Sequence, residues 1–187
     1  MKDLLQAAGD LQEFLLSRNR EFCFIGGLAV LHWGEPRLTR DIDLTLLTGF
    51  GREEEFVDEL LGRFAGRFDG ARRFALENRT LLLTTADGFP IDIALGALPF
   101  EEDAVRRAGD VECAAGILLR LCSPEDLIVM KAFAGRTEDW RDIEGIAIRQ
   151  GNRLDQDYLF RQLDPLLAVK DERESSNRLR EILAQTN

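Results

Sequence analysis

An apolar run enters a pair of glycines, a short helix-like segment follows, and a second apolar run opens on two aspartates. This order, spelled Phe24-Ile-Gly-Gly-Leu-Ala-Val-Leu-His-Trp-Gly-Glu-Pro-Arg-Leu-Thr-Arg-Asp-Ile-Asp43, constrains the chain more than any other stretch. In extended backbone, residues i and i+2 point the same way, so Asp41 and Asp43 put two carboxylates on one face. Like charges that close are unfavourable unless a cation sits between them. Mg²⁺ takes carboxylate and phosphate oxygens as joint ligands, so the pattern reads as a metal-and-nucleotide site. Gly26-Gly27, opening the Leu28–Trp33 segment, would offer backbone N–H groups and a positive helix end to phosphates. Without a Cβ, the backbone there lets a triphosphate approach. The plainer alternative is an ordinary strand-to-helix turn.

A third carboxylate stands in Phe89-Pro-Ile-Asp-Ile-Ala-Leu95, where Asp92 lies between two isoleucines in an apolar run. The run predicts a largely buried strand, and a buried carboxylate without a partner costs several kcal/mol. A bound metal would supply the partner. The alternatives are that Asp92 faces solvent on the polar side of an edge strand, or pairs with a nearby arginine. Three carboxylates suffice for two Mg²⁺ or Mn²⁺ ions, one activating an attacking hydroxyl and the other bridging the phosphates and the leaving pyrophosphate.

A second constellation follows, Lys131-Ala-Phe-Ala-Gly-Arg-Thr-Glu-Asp-Trp-Arg-Asp142. Lys131 and Arg136 can reach phosphate oxygens, lysine as a point charge and arginine as a planar fork. Asp139 and Asp142 are three apart on one helical face, placed to orient Lys131 or Arg136 or to accept a proton from an acceptor hydroxyl. The alternative is a helix pair held by surface ion pairs.

Both constellations carry a family resemblance, over roughly residues 22–145. Gly26-Gly27 followed by Thr39-Arg-Asp-Ile-Asp43 resembles the first motif of the nucleotidyltransferase superfamily that includes DNA polymerase beta. It most resembles the AbiEii-type toxin branch and related bacterial nucleotidyltransferases. Lys131, Arg136, Asp139 and Asp142 resemble that branch's Lys…Arg…Asp-x-x-Asp motif, although Glu138 stands where the family often has a basic residue. The resemblance implies a third acidic ligand on a strand beside the Asp-x-Asp strand, where Asp92 falls. It implies Asp41, Asp43 and Asp92 as catalytic metal ligands, and Gly26, Gly27, Thr39, Arg40, Lys131 and Arg136 as nucleotide-binding residues. The implied reaction moves a nucleoside monophosphate from an NTP to a polar acceptor and releases pyrophosphate. A tRNA or other RNA end, a protein side chain, or a small molecule such as an aminoglycoside would serve as acceptor. Toxin activity with a cognate antitoxin as partner is one role within the family. The alternative is a non-catalytic module that binds nucleotide or a partner protein on the same fold, against which the intact carboxylate set argues.

At 187 residues the chain fits one to two small domains, and 45% hydrophobic with 31% charged residues is ordinary for a globular protein. No apolar stretch approaches the ~20 residues of a membrane span, and Met1-Lys-Asp-Leu-Leu-Gln has no signal-peptide core, so a cytoplasmic protein is expected. Cys23, Cys113 and Cys122 lack metal-type spacing and read as reduced core residues. His32 is the single histidine, which excludes a multi-histidine zinc site. A formal charge of −10 argues against a broad nonspecific nucleic-acid footprint. Arg63, Arg67, Arg72 and Arg73 form a local basic cluster, read either as a solvated face balanced by Glu53, Glu54 and Glu55 or as a contact for phosphate.

The coarse pattern is α/β (α+β); together with the resemblance it implies a mixed β-sheet nucleotidyltransferase core over 1–122, flanked by helices, and a helical C-terminal region over 123–187 packed on it. Leu4, Leu5, Ala8, Leu11, Phe14 and Leu15 predict an amphipathic helix over 3–18. Strands are expected at Phe22–Ile25, Asp41–Leu47, Leu81–Thr85 and Ile91–Leu95, the last two joined through Asp87-Gly88 within a strand-like stretch from Arg72 to Leu95. Gly51–Phe64 and Pro99–Arg107 read as helices, and Val111–Ala114 with Ile117–Cys122 as a strand pair. Ser123-Pro124 with acids in the first turn starts a helix that stops near Gly135. Thr137 can cap the next, through Ile148, and 155–169 and 174–183 supply two more.

Overall fold

A computed structural model describes residues 1–186. The elements run α1 (Lys2–Ser17), β1 (Phe22–Phe24), α2 (Gly26–Trp33), β2 (Ile42–Leu47), α3 (Glu53–Leu61), β3 (Ala65–Gly66), α4 (Ala71–Asn78), β4 (Thr80–Thr84) and β5 (Pro90–Gly96). They continue with α5 (Pro99–Arg107), β6 (Gly109–Ala114), β7 (Ile117–Leu121), α6 (Pro124–Ala134) and α7 (Thr137–Gln150). A 3₁₀ turn (Gly151–Arg153), α8 (Gln156–Val169) and α9 (Glu174–Thr186) complete the order. The chain divides into two compact units, Met1–Leu28 with Leu38–Cys122, and Ala29–Arg37 with the chain from Ser123 onward.

The first unit holds a seven-stranded mixed sheet in the order β3-β4-β5-β2-β1-β7-β6. β2 runs parallel to β5 and antiparallel to β1, while β1 runs parallel to β7. The hairpins β4–β5 and β6–β7 are antiparallel. Alternation decides which face each residue takes. Ile42, Leu44, Leu46, Ile91 and Ile93 are fully buried, and α1 adds Leu4, Leu11 and Leu15 to the core. Each such side chain contributes about 1.5–3 kcal/mol of burial.

The second unit is built around α6, whose sides are nearly all buried, and α7, α8 and α9 pack on it. Ser123 caps α6 by accepting from the Asp126 N–H at 3.1 Å, as its Ser-Pro start predicts. The fully buried Asp126 is itself satisfied by the Tyr158 hydroxyl at 2.6 Å. Residues 29–37 belong to this unit because α7 holds them. The Arg149 guanidinium donates to the Gly34 carbonyl at 2.8 Å, and the Gln150 amide to the Trp33 carbonyl at 2.7 Å.

Two sequence expectations are corrected here. The stretch after Arg72 is not strand-like throughout: Ala71–Asn78 is helical, entered from Gly70 in the left-handed region and buried only through Ala71 and Ala75. Eight residues with two small buried positions give too weak a 3.6-residue period to see. The glycine pair also lies inside α2, which begins at Gly26 rather than Leu28.

No helix among the described residues is long and apolar enough to cross a membrane. Among the described residues Cys23, Cys113 and Cys122 form no disulfide; Cys113 is only half-buried, and desolvation pushes its pKa up.

Candidate active site

The carboxylates gather because β2 and β5 are neighbours in register, with Asp43 opposite Asp92, Ile42 opposite Ile91 and Leu44 opposite Ile93. In-register residues on adjacent strands share a face and sit about 4.8 Å apart. The three aspartates therefore fall at one end of one strand pair, Asp41 immediately before β2 and Asp43 on it.

Each has a protein partner. The Thr39 hydroxyl, on a buried side chain, donates to Asp41 Oδ1 at 3.0 Å. The Gly27 N–H donates to Asp43 Oδ2 at 3.4 Å, so the start of α2 faces a carboxylate. Arg67 pairs with Asp92. Arg40 is exposed beside them.

The glycines have a reason the sequence did not disclose. Gly26 lies at φ +57, and a Cβ built on it would stand 2.6 Å from Asp43 Cγ. A Cβ on Gly27 would stand 2.7 Å from Thr39 Cβ. The pair lets the backbone of α2 close against the very side chains that flank the site, whatever else it admits. Gly26→Ala is expected to push Asp43 out of line with Asp92 and to cost about 1–3 kcal/mol of stability from the strained backbone. Thermal melting and transfer rate measured together check this, and wild-type values for both would show that the close approach is unimportant.

Burial of Asp92 is corrected. β5 alternates, so Ile91 and Ile93 are fully buried on one face while the Asp92 side chain, on the other, is 35% exposed. Its partner is an arginine, the alternative open from the sequence. Other members of the basic cluster are satisfied at the surface: Arg72 holds Asp58 through two bonds of 2.6 and 3.0 Å, and Arg73 reaches Glu77 at 2.7 Å. Among the described residues, no group of three or more His, Cys, Asp or Glu side chains is arranged to hold a metal ion. The donor set still suits a hard divalent cation, since Asp41, Asp43 and Asp92 offer carboxylate oxygens from adjoining positions.

In the second unit, Lys131 and the two aspartates of α7 form a buried network. Lys131 Nζ lies 3.1 Å from Asp139 Oδ1 and 2.7 Å from Asp142 Oδ2, and its side chain is 7% exposed. Arg136 donates to Asp139 at 2.7 Å through Nε and at 3.2 Å through its backbone N–H, occupying the N-cap position expected for Thr137. Arg37 grips Asp142 through a two-pronged fork at 2.8 and 2.9 Å. This is a helix-bridging cluster, but a buried one rather than a surface one. Sequence reasoning missed Arg37 because its partner is 105 residues away.

Burial alone would raise the pKa values of Asp139 and Asp142. The bonds from Arg136 and Lys131 to the first, and from Arg37 and Lys131 to the second, outweigh it and hold both below the usual carboxylate range. Groups so depressed make poor proton acceptors and good orienting partners. Folded-state pKa values below the unfolded ones mean that this stabilisation is present above about pH 4 and lost as the pH falls through the folded values. The helical unit is therefore expected to melt progressively earlier below about pH 4. The Asp139→Asn/Asp142→Asn double variant should flatten that acid slope in circular-dichroism melts, and an unchanged slope would place the sensitivity elsewhere.

The first unit is thus a mixed sheet whose glycine-led helix closes on an Asp-x-Asp strand, with a third aspartate in register beside it. Residues 14–185 match the family described as "Nucleotidyl transferase AbiEii toxin, Type IV TA system", and the chain belongs to that family. No curated protein sequence matches it. Among solved structures it is similar to an antigenic nucleotidyltransferase-like protein from Paracoccidioides brasiliensis, at 18% identity and TM-score 0.55, over 96% of this chain and 93% of that one. It is also similar to the antibiotic-resistance factor ANT(2'')-Ia, at 16% identity and TM-score 0.48, over 98% and 91%. The first of these likenesses speaks for the fold.

Proposed function

We propose that the protein transfers a nucleoside monophosphate from an NTP to a polar acceptor, with Mg²⁺ or Mn²⁺ held by Asp41, Asp43 and Asp92. The observation that carries this reading is the register of Asp43 with Asp92, closed on one side by Gly26-Gly27. A divalent cation at the carboxylates would acidify the attacking hydroxyl and offset phosphate charge. The chain's own groups do the rest. Gly27 N–H and the start of α2 orient Asp43, Thr39 fixes Asp41, and the exposed Arg40 meets the phosphates. The acceptor oxygen loses its proton and bonds to the α-phosphorus, and the bond to the β-phosphate oxygen breaks, so pyrophosphate leaves with the electron pair.

Lys131 enters as the anchor of the helical unit, oriented by Asp139 and Asp142, because two carboxylates already meet its charge. The family's description supports a toxin role with a cognate antitoxin as partner. Incubation with each labelled NTP and Mg²⁺ or Mn²⁺, against tRNA, protein and aminoglycoside acceptors separately, tests the reading. Label appearing on one acceptor class and lost in Asp43→Asn identifies the substrate. No transfer or pyrophosphate release with any acceptor, alongside NTP binding, would make the protein a nucleotide-binding module instead.

A further inference from the structure

The mechanism above leaves one charged group at the carboxylate row without a role. Arg67 follows β3 immediately, and its backbone N–H donates to the Leu82 carbonyl at 3.0 Å. Leu82 faces Asp92, and Asp92 faces Asp43, so one line across β4, β5 and β2 carries an arginine onto the row of aspartates. The guanidinium bonds to Asp92 and reaches the Ile91 carbonyl at 3.3 Å, with 34% of the side chain exposed. A cation already sits on a carboxylate that the proposed metal would use. A monovalent guanidinium on a half-open carboxylate is a weak competitor, because solvent screens such a pair. A divalent cation on several carboxylates would displace it.

We propose that Arg67 is a positioning residue of the active site that exchanges partners. It neutralises Asp92 while the site is empty, and it turns to the triphosphate when a divalent cation takes Asp92. The planar two-pronged guanidinium suits phosphate oxygens, and its seat at the end of a short edge strand leaves the long side chain room to swing. The inference rests on the reading of Asp41, Asp43 and Asp92 as metal ligands. Among the arginines of the cluster, Arg72 and Arg73 hold acids of α3 and α4 at the surface, whereas Arg67 alone is seen bonded to one of these three aspartates.

Two titrations of the full-length protein test it. In Mn²⁺ calorimetry without nucleotide, Arg67→Gln should tighten binding severalfold, since the competitor is gone, and the gain should vanish on an Asp92→Asn background. In titrations with inorganic triphosphate at saturating Mn²⁺, Arg67→Gln should weaken binding about tenfold, with Arg67→Lys between it and the wild type. Unchanged affinity in either titration overturns the exchange. Absence of Mn²⁺ binding in every variant, Arg67→Gln included, overturns the metal-site reading itself, so the two failures are distinguishable.

Discussion

Asp43→Asn is expected to abolish nucleotidyl transfer while leaving the fold in place. Asp43 is the central member of the row: it lies opposite Asp92, accepts from the Gly27 N–H, and is the side chain against which Gly26 closes. Asparagine keeps the shape and one acceptor oxygen but loses the charge that a divalent cation needs. Removing even an outer partner of a metal ligand costs 10–100-fold, so removal of the ligand's charge should cost at least about a hundredfold in kcat/KM. The melting temperature in metal-free buffer should hold or rise slightly, because repulsion from the other aspartates is relieved. Calorimetry with Mn²⁺ supplies the independent reading, and an affinity equal to wild type would remove Asp43 from the metal site.

This centre was legible because it is local. Gly26, Gly27, Thr39, Asp41 and Asp43 fall within eighteen consecutive residues, and the spacing alone states that two carboxylates share a face. The place of Asp92 beside the Asp-x-Asp strand was legible, but not its environment. Ile-Asp-Ile reads equally as a buried run and as the alternation of a strand with one polar face, and only the pairing of β5 between β4 and β2 decides for the second. Arg67 stood out only as one member of a basic cluster and Arg37 left no signal, since they meet their partners across 25 and 105 residues. The helical unit shows the same division. The start of α6 was readable from its capping chemistry, a short-range matter, and Asp139 and Asp142 from their helical spacing. That both turn inward onto Lys131, and that residues 29–37 join them, depends on tertiary packing that no local pattern encodes.

Lys131→Met should destabilise the helical unit while sparing nucleotide affinity. Methionine matches the length of the lysine stem, so packing against α7 is largely kept and the change is chiefly one of charge. Without the ammonium, Asp139 and Asp142 face each other in a site where both are buried, although Arg136 and Arg37 still hold one each. Removing a partner from a wholly uncompensated buried pair costs 3–5 kcal/mol. With the two arginines remaining, about 2–4 kcal/mol is the reasonable expectation, or a fall of roughly 5–15 °C in melting temperature for a chain of this size. Adding Asp139→Asn should restore part of the loss, because one of the opposed charges disappears and residues in one network are not additive. By contrast, Arg136→Ala should cost no more than about 1 kcal/mol, its side chain being 66% exposed. NTP affinity measured on the folded Lys131→Met protein decides between the two roles of this lysine. An affinity within about twofold of wild type makes it an anchor whose charge is consumed by Asp139 and Asp142. A loss of tenfold or more with an unaltered melting curve would instead make it a phosphate ligand, as the resemblance of its motif implies.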